Sequence, residues 1–391
     1  MSEPTKDQSI APSNTRPNTW LILGERTGDN AQVLALGRAL GWPGIIKQIH
    51  YDDSCTVDFK DRGATLTGID LARSDPLSAP WPDAIIAIGR RSVPVARWIR
   101  TQAARPPLHI HLGRPRVDLS LFDLVITTPQ YNLPDAANVI EITLPLVSVE
   151  AEELGRAAAA WHERFAALPR PWTAVMVGGP TPQLAFGVGE AQRLLTELAD
   201  FRAKRSGSLL VTTSPRTEAA VVATLQAGLP EMALGRHLFM PFRSGTDNPY
   251  QAMLALADHF VVSVDSASMV AEAATRQKPI HLFHLPKIPP KVKPGLKSAL
   301  SRNWRLRRKA RQDADAPADP LDKLYDFWTR RGKARPRRDI DQLENRLIEL
   351  GVAQPLDAAG DESAPAFDVL RAEIDGILTR IQGLWREKAS K

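Results

Sequence analysis

A single cysteine, Cys55, among 391 residues leaves no internal disulfide and no cysteine-rich zinc site. Long apolar runs are equally scarce: no stretch approaches the roughly 18 residues that a membrane-spanning helix needs. The chain carries neither a G-x-G-x-x-G turn nor a Y-x-x-x-K pair. The first lack removes the dinucleotide fingerprint, and the two together argue against a nucleotide-sugar epimerase. Residues 1–17 are polar, without the apolar centre of a secretory signal, and read as a disordered tail. A cytoplasmic protein is the expectation, with peripheral attachment to the inner face of the cytoplasmic membrane as its extension.

What is present describes an ordinary globular chain. Hydrophobic residues make up 43%, the net charge is +6, and the length suggests two domains with separate cores. The most informative stretch runs from 246 to 279 and reads as helix, strand, turn, helix. Pro249 suits a first helical position. The β-branched run 259–264 is a short buried strand. Asp265-Ser266-Ala267-Ser268 then supplies N-cap chemistry for a helix over 267–276, because a side-chain oxygen can accept from the free backbone N–H groups. Those N–H groups and the helix dipole also favour an anion. Ser268 and Glu272 are four apart and share one face. A phosphate at the helix start therefore leaves Glu272 placed to meet a sugar hydroxyl.

The first part of the chain opens on a strand at 20–23, followed by G-E-R-T-G-D-N-A-Q and a helix over 31–40 closed by Gly41. A strand, a glycine turn and a helix commonly build a ligand loop at the carboxyl edge of a sheet. Gly24, Glu25, Gly28, Asp29, Asn30 and Gln32 are its candidates. A second strand, 84–88, leads into Gly89-Arg90-Arg91-Ser92 at a helix start. Arginines there oppose the dipole; they are either solvated surface groups or contacts to an acidic acceptor. His109 and His111 fall on one face of the strand 108–112. A metal site needs a further ligand, and none is suggested, so no metal is expected.

A proline-bounded helix, 148–171, separates this part from a second alternation. Strands at 172–177, 208–213, 237–241, 259–264 and 279–283 alternate with helices, which implies a parallel sheet covered on both faces. Each strand ends in a polar or glycine turn: Gly178-Gly179, Thr213-Ser214-Pro215-Arg216, Asn248-Pro249-Tyr250, and Asp265 through Met269. Glycines there allow close backbone approach to a ligand. All these turns share one edge of the sheet. The planar fork of Arg216 suits phosphate oxygens.

Beyond 286 the composition turns basic, with ten lysines and arginines between 287 and 311 accompanied by Trp304. That run is either a solvated insertion or a patch for anionic lipid headgroups. It shows no stacking platform, so no nucleic acid is expected. Helices at 342–350 and 367–388 close the chain, the second with Leu370, Ile374, Ile377, Leu378, Ile381 and Leu384 on its apolar side.

The order of these motifs carries a resemblance. N-P-Y at 248–250, D-S-x-S-M-x-x-E-A at 265–273 and K-P at 278–279 resemble the bacterial branch of the mitochondrial fission (elongated mitochondria) family. So does the P-R, then F-D-L-V-I, order at 115–126. The G-E-x-x-G-D opening at 24–29 is similar to that of lipid-A-disaccharide synthase. Both resemblances imply a GT-B-like fold: two Rossmann-like α/β domains facing across a cleft. With the proline and composition boundaries above, the chain divides into an acceptor domain (18–147), a linker helix (148–171), a nucleotide-sugar domain (172–285), a basic insertion (286–341) that is longer and more basic than the family pattern and to which the resemblance does not extend, and a C-terminal helical segment (342–391). In such proteins the last helix often returns to the first domain. The implied function is transfer of a sugar from a nucleotide-diphosphate donor to an envelope lipid or saccharide acceptor. The alternative is a non-catalytic scaffold of the same fold at a membrane surface. In the transfer reading, the turns of the second domain hold the donor, Asp29 is the candidate base, and no cofactor or metal is required.

Overall fold

The computed structural model describes residues 16–52, 63–231, 236–244, 248–289, 320–334, 338–358 and 366–390. Cys55, Thr246 and all of the expected basic run except 287–289, Trp304 included, lie outside the described residues, as does the tail up to residue 15.

Two parallel sheets organise the chain, each of six strands among the described residues. The first contains β1 (Thr19–Leu23), β2 (Gly44–Gln48), β3 (Ala84–Ile88), β4 (Leu108–Leu112), β5 (Leu124–Thr127) and β6 (Val139–Glu141), in the order β2-β1-β3-β4-β5-β6. Helix α1 (Thr27–Leu40) connects β1 to β2, and α2 (Gly89–Gln102) connects β3 to β4. Strands such as A-I-I-A-I are buried on both faces, which is why they read as continuous apolar runs rather than as alternation.

The linker helix α3 (Ala151–Ala166) sets Phe165 against Trp172 at the start of the second sheet. That sheet holds β7 (Trp172–Val177), β8 (Ser208–Thr213), β9 (His237–Met240), β10 (His259–Ser263), β11 (Ile280–Phe283) and β12 (Gln354–Pro355). Its order is β12-β11-β10-β7-β8-β9. The intervening helices are α4 (Val188–Ala203), α5 (Ala219–Glu231), α6 (Tyr250–Leu256) and α7 (Ala267–Ala274).

Both sheets reverse direction once. In the first, the chain leaves β1 for β2 on one side and then restarts with β3 on the other. In the second, β7, β8 and β9 run outward before β10 pairs with β7 on the opposite side. Ligands of open α/β sheets bind outside the carboxyl ends of the strands at such switch points. In this chain those are the turns after β1 and β3, and the turns after β7 and β10.

The C-terminal third ties the halves together. Helix α8 (Pro320–Arg330) and helix α9 (Ile340–Glu349) flank residues that dock on the first domain. The Arg330 guanidinium donates to the Asp135 carbonyl, and the Asp339 N–H donates to the Gln130 carbonyl at 2.8 Å. A Cβ at Gly332 would sit 2.6 Å from Val117 Cα, so only glycine fits that contact. Lys287 pairs with Asp339 at 3.0 Å and with Asp341, so it is not a freely solvated start to a lipid-binding run. Arg330, Gly332 and the segment 338–341 therefore dock on the rest of the protein, so 286–341 is not solvated throughout, while α8 leaves Leu321, Leu324, Phe327 and Trp328 exposed. Helix α10 (Asp368–Ala389) returns to the first domain. Ile377 and Ile381 enter the core with Leu21, Leu36 and Ile110. Glu373 accepts from the Thr143 N–H at 2.8 Å and from its hydroxyl at 2.7 Å. No helix among the described residues is long and apolar enough to cross a membrane.

Candidate functional site

The two switch points face one another across a cleft of about 540 Å³. Three helix N-termini reach it: α1 with Gly28 and Asp29, α2 with Gly89 and Arg90, and α7 with Ser266, Ala267 and Ser268. None has a side-chain cap. Their backbone N–H groups remain available, and each N-terminus carries roughly half a positive charge. Arginines add to this: Arg26, Arg90, Arg114, Arg116, Arg216 and Arg338 line the cleft against the acids Asp29 and Asp265. The arrangement is built for an anionic ligand.

On the second-domain side, Asp265 is the fixed point. Its carboxylate has no exposed surface and accepts from the Gly179 N–H at 3.0 Å, the Ser263 hydroxyl at 2.7 Å and Arg216 Nη2 at 2.8 Å. Burial raises its pKa, and these partners oppose the rise. The expected N-cap role of Asp265 is thus corrected: three nearer donors turn the side chain inward, and Ser266 occupies the N-cap position without bonding the helix. What Asp265 does is hold Arg216 at the cleft wall, where the guanidinium also donates to the Gly179 carbonyl at 3.3 Å. The Gly178-Gly179 turn is corrected as well. A Cβ at Gly178 would lie 2.1 Å from the Asp265 carboxylate, and one at Gly179 would lie 2.2 Å from the Arg216 carbonyl oxygen. Gly178 makes room for the Asp265 carboxylate and Gly179 for the Arg216 backbone, and neither lines the cleft.

Other expected donor contacts are engaged within the protein. Ser214 accepts from the Arg216 N–H at 3.2 Å, and Thr213 accepts from the Phe242 N–H at 2.9 Å. Asn248 accepts from the Tyr250 N–H at 3.0 Å at the start of α6. The Tyr250 hydroxyl donates to Glu272, whose carboxyl is pushed up by burial. The Glu272 oxygen expected to meet a sugar hydroxyl already has a hydroxyl partner. Met269, Glu272, Tyr250 and Asn248 do not line the cleft, whereas Ser266, Ser268, Arg216 and Asp265 do.

The first-domain side divides in the same way. Asn30 bonds both polar groups of Gly24, at 2.8 Å each, and so staples the turn. Glu25 pairs with Arg91 at 3.1 Å. Gln32 donates to the Gly28 carbonyl at 3.3 Å and lines the cleft with Gly28 and Asp29. Burial raises the Asp29 pKa, and Arg26 and Arg338 partly offset the rise. Among the described residues no hydrogen bond to its carboxylate is formed. Gly89, at φ 73°, lets α2 start close by: its Cβ position would be 3.8 Å from Asp29 Oδ2. A Cβ at Gly28 would stand 4.0 Å from the Ser268 hydroxyl, so the loops of the two domains nearly touch.

Sequence reasoning missed part of the wall. Arg114 and Arg116 sit in the G-R-P-R turn after β4, which had the right position in the sheet but no recognised chemistry. Arg338 gives no local signal; it arrives from beyond the second sheet and donates to the Gln130 side chain. His109 and His111 lie away from this wall, packed on Phe122 with ring centroids at 4.8 and 4.9 Å. Burial lowers the pKa of His111 to about 3, and burial also lowers that of His109, so both are neutral. No cluster of metal-ligating side chains occurs among the described residues.

Comparison with known proteins identifies a family and several similar chains. The family described as mitochondrial fission ELM1 matches residues 27–325. A curated relative, the mitochondrial fission protein ELM1 of Arabidopsis thaliana, is 30% identical over 224 residues, covering 51% of this chain and 51% of the relative. The chain thus spans about half the length of that protein. The uncharacterized protein RP120 of Rickettsia prowazekii (strain Madrid E) is 22% identical over 304 residues, covering 69% of this chain and 84% of the relative. Among solved structures, a UDP-glucosyltransferase from Polygonum tinctorium is 11% identical with a TM-score of 0.47, covering 96% of this chain and 99% of the other.

Proposed function

The chain belongs to the mitochondrial fission ELM1 family, and from that premise we propose that its cleft binds a nucleotide-diphosphate sugar and transfers the sugar to an acceptor held by the first domain. The observation that carries this reading is the meeting of three uncapped helix N-termini and Arg216 in one cleft formed by both switch points. The family's description names organelle fission and no reaction, so the reaction is read from the site.

The diphosphate lies against Arg216 and the start of α7, between Ser266 and Ser268. Asp265 holds Arg216 in place, which keeps the fork pre-aimed before ligand arrives. In the transfer step the acceptor hydroxyl oxygen bonds to the anomeric carbon and its proton passes to Asp29. The bond from that carbon to the donor phosphate breaks, and the diphosphate leaves with the electron pair. Helix N–H groups and Arg216 stabilise that developing charge. The raised pKa of Asp29 makes it a better proton acceptor than an exposed aspartate.

Calorimetry with a panel of nucleoside diphosphates tests the donor site. Loss of a charge-assisted hydrogen bond is worth roughly 1.5–3 kcal/mol, so Arg216→Ala weakens binding by about tenfold to a hundredfold while the protein stays folded. Equal affinity in the native and Arg216→Ala proteins would place the nucleotide elsewhere.

A further inference from the structure

The donor reading uses Arg216 and α7 but leaves most of the cleft's positive charge on the opposite wall. There Arg90 opens α2, a helix with no acidic residue in its first turn. Arg114 and Arg116 follow β4, and Arg338 enters from the far end of the chain. Arg114 and Arg338 flank the Tyr131 ring at 5.9 and 5.7 Å. Arg116 holds φ 64°, an uncommon left-handed conformation for a side-chain-bearing residue, with Gly332 packed against its carbonyl. Thr127, 2% exposed, lines the same wall, and its hydroxyl has no hydrogen-bond partner among the described residues. Planar guanidinium forks around a polar hollow match a phosphate group.

A second hollow adjoins the first. It is an apolar groove of about 290 Å³ between α7 and α10, lined in part by Leu144, Val147, Ala271, Ala274, Leu370 and Ile374. Ile142, Pro145 and Leu146 line both the groove and the cleft. Along α7, Ala267 faces the cleft, and Ala271 and Ala274 face the groove. These positions are four and seven residues apart, hence on one helical face. The groove therefore continues the cleft along two shared walls, passing from charged to apolar.

From this we infer that the acceptor is a lipid phosphate monoester that also carries a free hydroxyl, the group that attacks the anomeric carbon: its phosphate sits among Arg90, Arg114, Arg116 and Arg338, and one hydrocarbon chain lies in the groove between α7 and α10. The word acceptor rests on the transfer reading above; the binding of the amphiphile stands apart from it and needs no nucleotide. A headgroup alone explains the arginines but not the groove, and a neutral lipid explains the groove but not the arginines.

Calorimetric titration of the full chain with alkyl phosphates of increasing length, kept below their micelle concentrations and without nucleotide, tests this. Burying a methylene is worth about 0.8 kcal/mol, so affinity rises about fourfold per added methylene until the groove is filled. Inorganic phosphate competes weakly, and an alkyl glucoside of equal chain length binds at least tenfold more weakly than the alkyl phosphate. Arg114→Gln combined with Arg338→Gln weakens every alkyl phosphate at least tenfold and preserves the dependence on chain length. Thr275→Trp, at an exposed position on the groove's rim, removes the chain-length dependence and leaves inorganic phosphate unchanged. Affinity independent of chain length, or a chain-length dependence that survives Thr275→Trp, overturns the groove as the tail site. Equal binding of glucoside and phosphate overturns the headgroup site. Should the double arginine variant fail to fold, the native series and Thr275→Trp still decide. Failure of the donor reading shows separately, as absence of nucleoside diphosphate binding in the same protein.

Discussion

Asp29 sits where a carboxylate is disfavoured, half-buried and without a hydrogen-bond donor of its own among the described residues. Its folded pKa lies above the unfolded value of an aspartate, so the unfolded chain loses this proton first as pH rises. The ionised form then costs the folded state stability above the ordinary aspartate range, and below that range the cost vanishes because both states are protonated. Asp29→Asn is therefore more stable than the native protein at pH 7, and the gain disappears in acid. Turnover falls by about 10² to 10⁴ if Asp29 is the base. Denaturant titrations at pH 7 and in acid, with a rate assay on the same variant, check both. A variant with unchanged stability and unchanged rate would leave Asp29 a turn residue. The positions of Asp29, Ser268 and Arg216 on the cleft wall were legible because each lies in the turn or first helical turn after a buried strand, at the sheet's carboxyl edge. It did not reveal that Asp265, Asn30, Glu25 and Tyr250–Glu272 spend their polar groups on the protein itself. Residue type gives bonding capacity, and only the fold decides which partner is nearest. For the same reason Gly178 was read as an opening for ligand when its missing Cβ is filled by Asp265.

At the level of elements, the alternation of strands and helices could be read because β-branched apolar runs and glycine or proline punctuation coincide through both sheets. Strand β12 could not: two residues, Gln354–Pro355, carry no periodicity and gain strand character only by pairing with β11. Helix α8 lies between an acidic stretch and a basic one, which masked its short apolar segment 324–328. Helix α10 was legible as amphipathic, and its apolar side serves both domains: Leu370 packs on the second-domain core, and Ile377 and Ile381 enter the first. Ile381 is fully buried there, in the core that also holds Leu36 and Ile110. Truncation of such a side chain typically costs about 2–5 kcal/mol. Ile381→Ala should lower stability in urea unfolding by that amount while leaving nucleoside diphosphate affinity of the folded protein unchanged. A loss below about 0.5 kcal/mol, the range of surface substitutions, would mean that α10 is not part of that core.

The whole molecule consists of two doubly wound sheets whose switch points were turned toward each other, then held by two later passages of chain. One is α10 with the Glu373–Thr143 bonds; the other comprises residues 330–332, set against Asp135 and Val117, and residues 338–339, which bring Arg338 to the cleft and bond Gln130. A two-domain α/β plan was evident from the order of elements, but the charge of the cleft was not, because its arginines come from positions as distant as Arg26 and Arg338. The central claim is that both halves serve a single ligand-binding cleft. Amide hydrogen exchange, with and without a saturating nucleotide-diphosphate sugar, tests it most directly, since it reports local opening segment by segment. A shared cleft predicts slowed exchange in the turns at 214–217 and 264–270 and also across the cleft at 26–32 and 88–92. Protection confined to a region outside these turns, or no protection at a concentration that binds, would contradict it.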